Sequence, residues 1–127
     1  MAPAIERVAL VGLVTPASRG DADHSLDELA GLADAAGAAV VMRMLQDRPK
    51  PDPATFIGSG KVASLAAACD EADVDLVIFD NELSPAQLRQ LEERLERKVI
   101  DRTQLILDIF ARRARTREGK WQVELAQ

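Results

Sequence analysis

Short apolar runs alternate with longer amphipathic segments along residues 1–100 of this chain. Four stretches are nearly continuous in apolar residues, namely 5–15, 38–45, 74–79 and 98–100. Runs of this kind are typical of strands that are buried on both faces of a parallel sheet. Each segment between two runs has a helical pattern and is long enough for a crossover connection. The pattern therefore predicts strands that alternate with helices.

Helix-start signals stand at the beginning of most of the amphipathic segments. A residue that can cap a helix is followed three positions later by Glu or Gln, which is the pattern of a capping box. The pairs with this spacing are Ser25 with Glu28, Ser84 with Gln87, and Asp101 with Gln104. Pro85 stands at the first helical position of the third segment, where proline is favoured. The second helix is predicted to begin near Ser59 and Gly60.

Apolar residues at helical spacing mark the side of each predicted helix that faces the core. They are Leu26, Leu29, Leu32 and Ala33 in the first helix, Val62, Leu65 and Cys69 in the second, Leu88, Leu91 and Leu95 in the third, and Leu105, Ile106, Ile109 and Phe110 in the fourth. Gly37 fits the C-terminal stop of the first helix, because glycine readily adopts the left-handed conformation found there.

The order of elements predicts an α/β fold with a small, open, mainly parallel four-stranded sheet and flanking helices. We assign residues 1–100 to this subdomain. After Ile100 the sequence favours helix alone, with a break near 116–119. Residues 101–127 are therefore interpreted as the beginning of a second, helical subdomain that stops in mid-element. On this interpretation the chain is the N-terminal part of a larger protein.

Composition narrows the class of protein. With 127 residues, 47% hydrophobic and 29% charged, the chain can form one globular domain, and 3% aromatic residues predict an aliphatic core. A net charge of −5 does not indicate a general nucleic-acid binder. The single cysteine, Cys69, fits a reducing cytoplasm, and no apolar run approaches the length of a membrane span. We therefore predict a cytoplasmic location and no membrane partner.

The charge is unevenly distributed, because a short basic run lies near the end of the chain. It consists of Arg112, Arg113, Arg115, Arg117 and Lys120, with Glu118 as the one acidic residue among them. The simplest interpretation is a solvated helix face. The alternative is contact with RNA phosphates, since clustered cations release counterions when they bind nucleic acid.

A glycine-rich segment, Gly58-Ser59-Gly60-Lys61, suggests a phosphate-binding loop. The nucleotide-binding motif requires G-x-x-x-x-G-K-[ST]. Here Thr55 stands at the first glycine position and Val62 follows the lysine, so half of the motif is missing. The favoured interpretation is a flexible glycine entry to a helix. A weaker anion contact through helix N–H groups and Lys61 is the alternative.

Other candidate residues predict no catalytic set and no metal site. Asp80 and Glu82 follow a strand, but the acidic pair that a phosphoacceptor site needs after the first strand is absent, so a polar turn is favoured. His24 is the sole histidine and is predicted to lie exposed in a loop, and Cys69 is predicted to be a core residue. On these residues alone, the chain is predicted to be a binding or positioning module.

Three motifs, taken together, resemble a known family. FIGSGKV begins at Phe56, VIFDNELSPAQ begins at Val77, and VIDRTQLILDIFARRARTREGKWQVELAQ runs from Val99 to the end. In this order they are similar to the N-terminal region of the HflX family of ribosome-associated GTPases. Residues 1–55 fit that family in layout and length rather than by motif.

The resemblance implies an α/β subdomain, then a helical linker formed by an antiparallel helix pair, and then a G domain that binds GTP and Mg²⁺. Residues 101–127 would be the beginning of that linker. It also implies partners: the large ribosomal subunit with its rRNA, and the protein's own G domain. Some members split or rescue stalled ribosomes under stress. The chain has no G-x-x-x-x-G-K-[ST], no D-x-x-G and no N-K-x-D. GTP hydrolysis is therefore not expected of this chain alone, and no cofactor is expected in it.

Two functional hypotheses remain open on the sequence. One is a ribosome-contacting, regulatory N-terminal domain, for which the basic run from Arg112 to Lys120 supplies RNA-contact candidates. The other is a stand-alone nucleotide-binding α/β domain that uses the segment from Gly58 to Lys61, since some family members are reported to bind adenine nucleotides in this region. A nucleotide titration separates the two.

Overall fold

A parallel four-stranded sheet organises the protein, as the apolar runs predict. The computed structural model describes residues 6–18 and 20–112. The strands are β1 (Arg7–Val14), β2 (Ala39–Asp47), β3 (Leu76–Phe79) and β4 (Lys98–Asp101), in the order β2-β1-β3-β4. All three pairings are parallel, with a bulge in the β1–β2 register between Val8 and Ala9. The predicted open α/β fold is confirmed.

Within the described residues, four helices flank the sheet, two on each face. They are α1 (Ala22–Ala35), α2 (Ser59–Glu71), α3 (Pro85–Leu95) and α4, which covers 102–112. One core cluster joins α2 and α3 to one face of the sheet, and a second joins α1 and α4 to the other. β1 separates the two clusters, since Val8 and Leu10 belong to one and Ala9 and Val11 to the other. Burial of both faces explains why the strands have continuous apolar sequences.

The capping box of α3 has the predicted geometry. Gln87 N donates to Ser84 Oγ at 3.1 Å, and Ser84 N donates to Gln87 Oε1 at 2.9 Å. Pro85 occupies the first helical position. The predicted core face is also confirmed, because Leu91 and Leu95 are buried. Local signals therefore predict where this helix begins and which side of it is buried.

Replacing Ser84 with alanine should lower the free energy of unfolding by about 0.5–2 kcal/mol, because an N–H group at the start of α3 loses its acceptor. Ser64 is the matched control, since its exposed Oγ only donates back to Gly60 O within α2. Ser64→Ala should be neutral or slightly stabilising. Urea denaturation of both variants is the measurement. Equal midpoints for both would mean that the cap contributes nothing.

The predicted N-cap of α1 is wrong. The N-cap position lies at Asp21, four residues earlier than expected, and Asp21 makes no side-chain hydrogen bond there; the helix begins at Ala22. Ser25 lies inside the helix and its Oγ donates to Asp80 Oδ2 at 2.5 Å. The hydroxyl is thus bonded to a residue beyond β3 instead of to its own helix. His24, predicted to lie in a loop, also belongs to α1, although it is exposed as expected.

The start of α4 is half of a capping box. Gln104 N donates to Asp101 Oδ1 at 2.9 Å, so Asp101 caps the helix as predicted. The Gln104 side chain does not reach back, and it donates to Asp108 Oδ1 at 2.9 Å instead. Asp101 is the last residue of β4 and is in register with Phe79. Its backbone therefore belongs to the sheet.

The predicted inner face of α4 includes one residue too many. Leu105 is buried and Ile109 packs against the same cluster, but Phe110 is 60% exposed and Leu107 is 55% exposed. Leu105 and Ile109 are four residues apart and share one side of the helix. Phe110 follows Ile109 directly, a rotation of about 100° around the helix axis, which points it away from the sheet.

Candidate functional site

The strand order creates one place where an open α/β sheet can hold a site. β1 and β3 are neighbours in the sheet although α1, β2 and α2 separate them in sequence. The helix after β1 lies on one face, and the helix after β3 lies on the other. The connections therefore diverge at the carboxyl ends of β1 and β3, which is the usual position of ligand sites in such sheets.

Side chains of this protein occupy that crevice. Arg102, the first residue of α4, donates from Nη1 to Asp80 Oδ1 at 3.1 Å and to Ser25 Oγ at 3.2 Å. Its Nη2 donates to Glu28 Oε2 at 2.8 Å. Asp80 follows β3, whereas Ser25 and Glu28 belong to α1. We call Arg102, Asp80, Glu28 and Ser25 the Arg102 cluster.

Electrostatics favours the charged form of Arg102. The hydrogen bond to Glu28 is the largest cause that raises the pKa of Arg102, burial opposes it, and Asp80 adds to the increase. The Asp80 side chain is only 9% exposed and both of its oxygens accept hydrogen bonds. A buried carboxylate needs such partners. The Asp80 carboxylate therefore has a structural role at the crevice and is more than part of a simple polar turn.

The sequence signals for this cluster were misleading or missing. Ser25 and Glu28 have the spacing of a capping box, but residues three apart also share one side of a helix, and both contact the same guanidinium. Arg102 carried no signal of its own, because its partners are distant in sequence. The His24 imidazole lies at the edge, with Nε2 3.4 Å from Glu28 Oε1. Among residues 6–18 and 20–112, no three His, Cys, Asp or Glu side chains form a group that could hold a metal ion.

The glycine-rich segment forms the beginning of α2, with Gly58 as the N-cap. Gly58 N donates to Gln46 Oε1 at 2.9 Å, so this N–H group already has a protein partner. A Cβ at this position would lie 2.7 Å from Arg48 Nη1, so the end of the Arg48 side chain lies close to Gly58. Ser59 and Gly60 are exposed and Lys61 is half-buried. The structure thus places Arg48 near the start of α2, although Arg48 lies outside the phosphate-loop motif.

The proline-containing loop between β2 and α2 is well connected to the core. Asp52 Oδ1 accepts from Ala54 N at 2.8 Å and from Thr55 N at 3.1 Å, and these backbone bonds lower the pKa of the Asp52 carboxyl. Gln87 Nε2 donates to Asp52 O at 2.9 Å, which joins the loop to α3. Phe56 adopts a left-handed conformation with φ of 66° and packs edge-on against Phe79, with ring centroids 5.9 Å apart. These contacts therefore hold the loop against the folded core, and residues 55–58 at its end are buried.

Cys69 lies where the sequence predicts it, fully buried on α2. Burial raises the pKa of its thiol, which suppresses the reactive thiolate form. The structure thus gives Cys69 a packing role.

Of the five cations in the basic run, the structure describes Arg112. Its Nη1 donates to Ala36 O at 2.8 Å, just after the end of α1. Arg113, Arg115, Arg117 and Lys120 lie outside the described residues. Arg112 therefore has an intramolecular role in addition to any contact with a partner.

A groove lies beside α4, between the sheet and residues 36–38, which follow α1. Its cavity has a volume of about 320 Å³. Leu76, Ile78 and Ile100 line it from the sheet, and Leu105 and Ile109 line it from α4. Charged residues also border it, among them Lys98, Asp108 and Arg112. In the part of the chain that the structure describes, no helix is long and apolar enough to span a membrane.

The fold is similar to solved structures of GTP-binding proteins. It matches the crystal structure of SsGBP in complex with GDP with a TM-score of 0.65 and 21% sequence identity, covering 96% of this chain and 34% of that one. A GTP-binding protein from Sulfolobus solfataricus in complex with GDP gives a TM-score of 0.60 at 19% identity, covering 84% of this chain and 30% of that one. At these identities the likeness concerns the fold.

Relatives in amino-acid sequence have much higher identity to this chain than these structures do. The protein named GTPase HflX from Lacrimispora saccharolytica is 52% identical over 122 residues, which is 96% of this chain and 29% of that protein. GTPase HflX from Escherichia coli is 50% identical over 104 residues, which is 82% of this chain and 24% of that protein. The chain thus spans less than a third of the length of these relatives. A family model described as GTP-binding GTPase N-terminal matches residues 23–111. The chain therefore belongs to this family and is an HflX N-terminal domain.

Proposed function

We propose that this domain is the ribosome-contacting, regulatory part of an HflX-type GTPase that associates with the large ribosomal subunit in the cytoplasm. The observation that carries the proposal is family membership, because the relatives that match almost the whole chain are named GTPase HflX. The proposed activity of the whole protein is to split or rescue ribosomes under stress. The domain itself contributes binding and orientation.

GTP and Mg²⁺ do not fit the residues of this chain. The segment from Gly58 to Lys61 lacks both the first glycine and the final hydroxyl of the phosphate-loop motif. Gly58 N already donates to Gln46 Oε1, so this N–H group has a protein partner. We therefore assign GTP and Mg²⁺ to a G domain outside this chain. In this proposal the residues of this chain take no part in GTP hydrolysis.

The proposed contact with ribosomal RNA uses the basic run that begins at the end of α4. Arg112 is bonded to Ala36 O, so the phosphate contacts are assigned mainly to Arg113, Arg115, Arg117 and Lys120. Arg112 fixes the helix from which these four residues follow. Each phosphate contact releases condensed counterions, so binding should weaken as salt increases.

Changing these four cations to glutamine should weaken binding to large ribosomal subunits and flatten the dependence of affinity on salt, because fewer counterions are released. The measurement is co-pelleting of a full-length protein containing this domain with purified large subunits, across a potassium chloride series. The control removes the same charge elsewhere, at exposed Lys50, Arg89, Arg94 and Lys98. Equal loss in both variants would indicate a general charge effect, and no loss in either would refute the RNA contact.

A second candidate function is anion or nucleotide binding at the start of α2. The observation that favours it is the position of Arg48, which borders both Gly58 and a cleft of about 210 Å³ formed with Pro16, Asp47 and Pro49. Calorimetric titration of the 127-residue chain with ATP and with GTP is the test. Saturable binding that Lys61→Gln abolishes would favour this candidate, and the absence of heat with either nucleotide would eliminate it.

A further inference from the structure

Arginines attach α4 to α1 near both ends of α4. Near its N-terminus, Arg102 contacts Ser25 and Glu28 in the first half of α1. At residue 112, Arg112 Nη1 donates to Ala36 O at the other end of α1. The two helices therefore run side by side, with polar contacts at residues 102 and 112 of α4.

Between these contacts, α4 packs less completely than helices on the opposite face. Leu105 is the one buried residue among 102–112, whereas α2 has three and α3 has two. Ile109 is partly buried, and a groove of about 320 Å³ borders α4 beside the sheet and residues 36–38. Few apolar contacts therefore hold α4, and the arginine contacts matter correspondingly more.

The Arg102 cluster can open without leaving a buried charge alone. The Arg102 and Glu28 side chains are 28% and 53% exposed, so water can reach both. Asp80 is nearly buried, but Ser25 Oγ would still donate to its Oδ2 after Arg102 leaves. An uncompensated buried carboxylate would make opening very costly. The Ser25 hydroxyl reduces that cost.

We propose that the Arg102 cluster is a latch that fixes the direction in which α4 leaves the sheet, and that α4 detaches as a unit while the sheet and the other three helices stay folded. Opening of this kind is expected where local contacts are few and hydrogen bonds are accessible to water. A partner that prefers the detached state would shift the equilibrium toward it. The proposal rests on the geometry of the described residues and does not depend on ribosome binding.

Amide hydrogen exchange of the 127-residue chain, followed by NMR, tests the latch. Arg102→Gln should accelerate exchange at amides 106–112 about tenfold or more and leave α2 and α3 unchanged. These amides are chosen because their acceptors lie within α4, whereas the first four N–H groups of any helix lack intrahelical partners. The change removes the charge and keeps a good helix former.

Arg97→Gln is the matched control. Arg97 Nη2 lies 2.6 Å from Asp70 Oδ1, and its Nε donates to Val74 O at 2.7 Å, so it is also a partly buried arginine in an ion pair. It connects α2 to the segments that precede β3 and β4, and α4 is not among its partners. Exchange at amides 106–112 should therefore change less than about twofold in this variant.

Two results would overturn the latch: unchanged exchange in α4 of Arg102→Gln, or equal acceleration in every helix, which would mean general destabilisation. If Arg102→Gln does not fold, Glu28→Gln decides, because it removes one exposed partner and leaves the Asp80–Arg102 pair. Faster exchange confined to α4 in that variant supports the latch. Unchanged or uniformly faster exchange refutes it.

Discussion

Replacing Phe79 with alanine should lower the free energy of unfolding by about 3–5 kcal/mol, the usual cost of truncating a buried phenylalanine. Phe79 is fully buried at the end of β3. Its ring packs edge-on against Phe56, which the folded loop holds in a left-handed conformation. Truncation would thus remove buried apolar area and an aromatic contact together. Urea denaturation followed by circular dichroism gives the change directly.

Phe110→Ala is the control for this measurement, since it is the same chemical change at a side chain that is 60% exposed. Surface substitutions usually change stability by less than about 0.5 kcal/mol. Similar losses in the two variants would contradict the burial difference between β3 and α4. If Phe79→Ala proves too unstable to purify, Phe79→Leu keeps most of the volume and should show a smaller loss in the same direction.

The two phenylalanines show when the sequence pattern predicts burial correctly and when it does not. Both stand in apolar surroundings, and a helical pattern includes Phe110 with Leu105 and Ile109 on one side of α4. The predicted apolar side of α4 covers a wider arc of the helix than the part that contacts the sheet. The width of the contact depends on how the helix is placed above β3 and β4, which local periodicity does not encode. The strand assignment of Phe79 needed no such information, because β3 is buried on both faces.

Local and long-range interactions account for the other successes and failures. The Ser84 box depends on residues three positions apart and was fully predictable. The Arg102 cluster joins residues separated by 22 and 77 positions, and a single sequence carries no local sign of such contacts. The Ser25–Glu28 spacing therefore predicts a capping box, because that is the local interaction with this spacing. Polar side chains at the crevice were predicted as turn and cap residues because their true partner lies at the start of another helix.

Removing the Leu91 side chain should be almost as costly, at about 2–5 kcal/mol for Leu91→Ala. Leu91 is fully buried at the centre of α3, in the cluster that also contains Leu95 and Val99. Capping and helix propensity alone do not hold a helix of this length in water, so α3 depends on its apolar face. The cost within the range is set by how far the neighbours can collapse into the cavity.

Leu107→Ala provides the matched comparison, because Leu107 is also helical but is 55% exposed. Alanine has a slightly better helix propensity than leucine, so this variant should be nearly neutral. Both variants should retain the urea dependence of the parent chain, since that slope reports the surface exposed on unfolding. A loss below about 0.5 kcal/mol for Leu91→Ala would mean that α3 does not rely on this stripe. A large loss for Leu107→Ala would instead show that the outer side of α4 is covered.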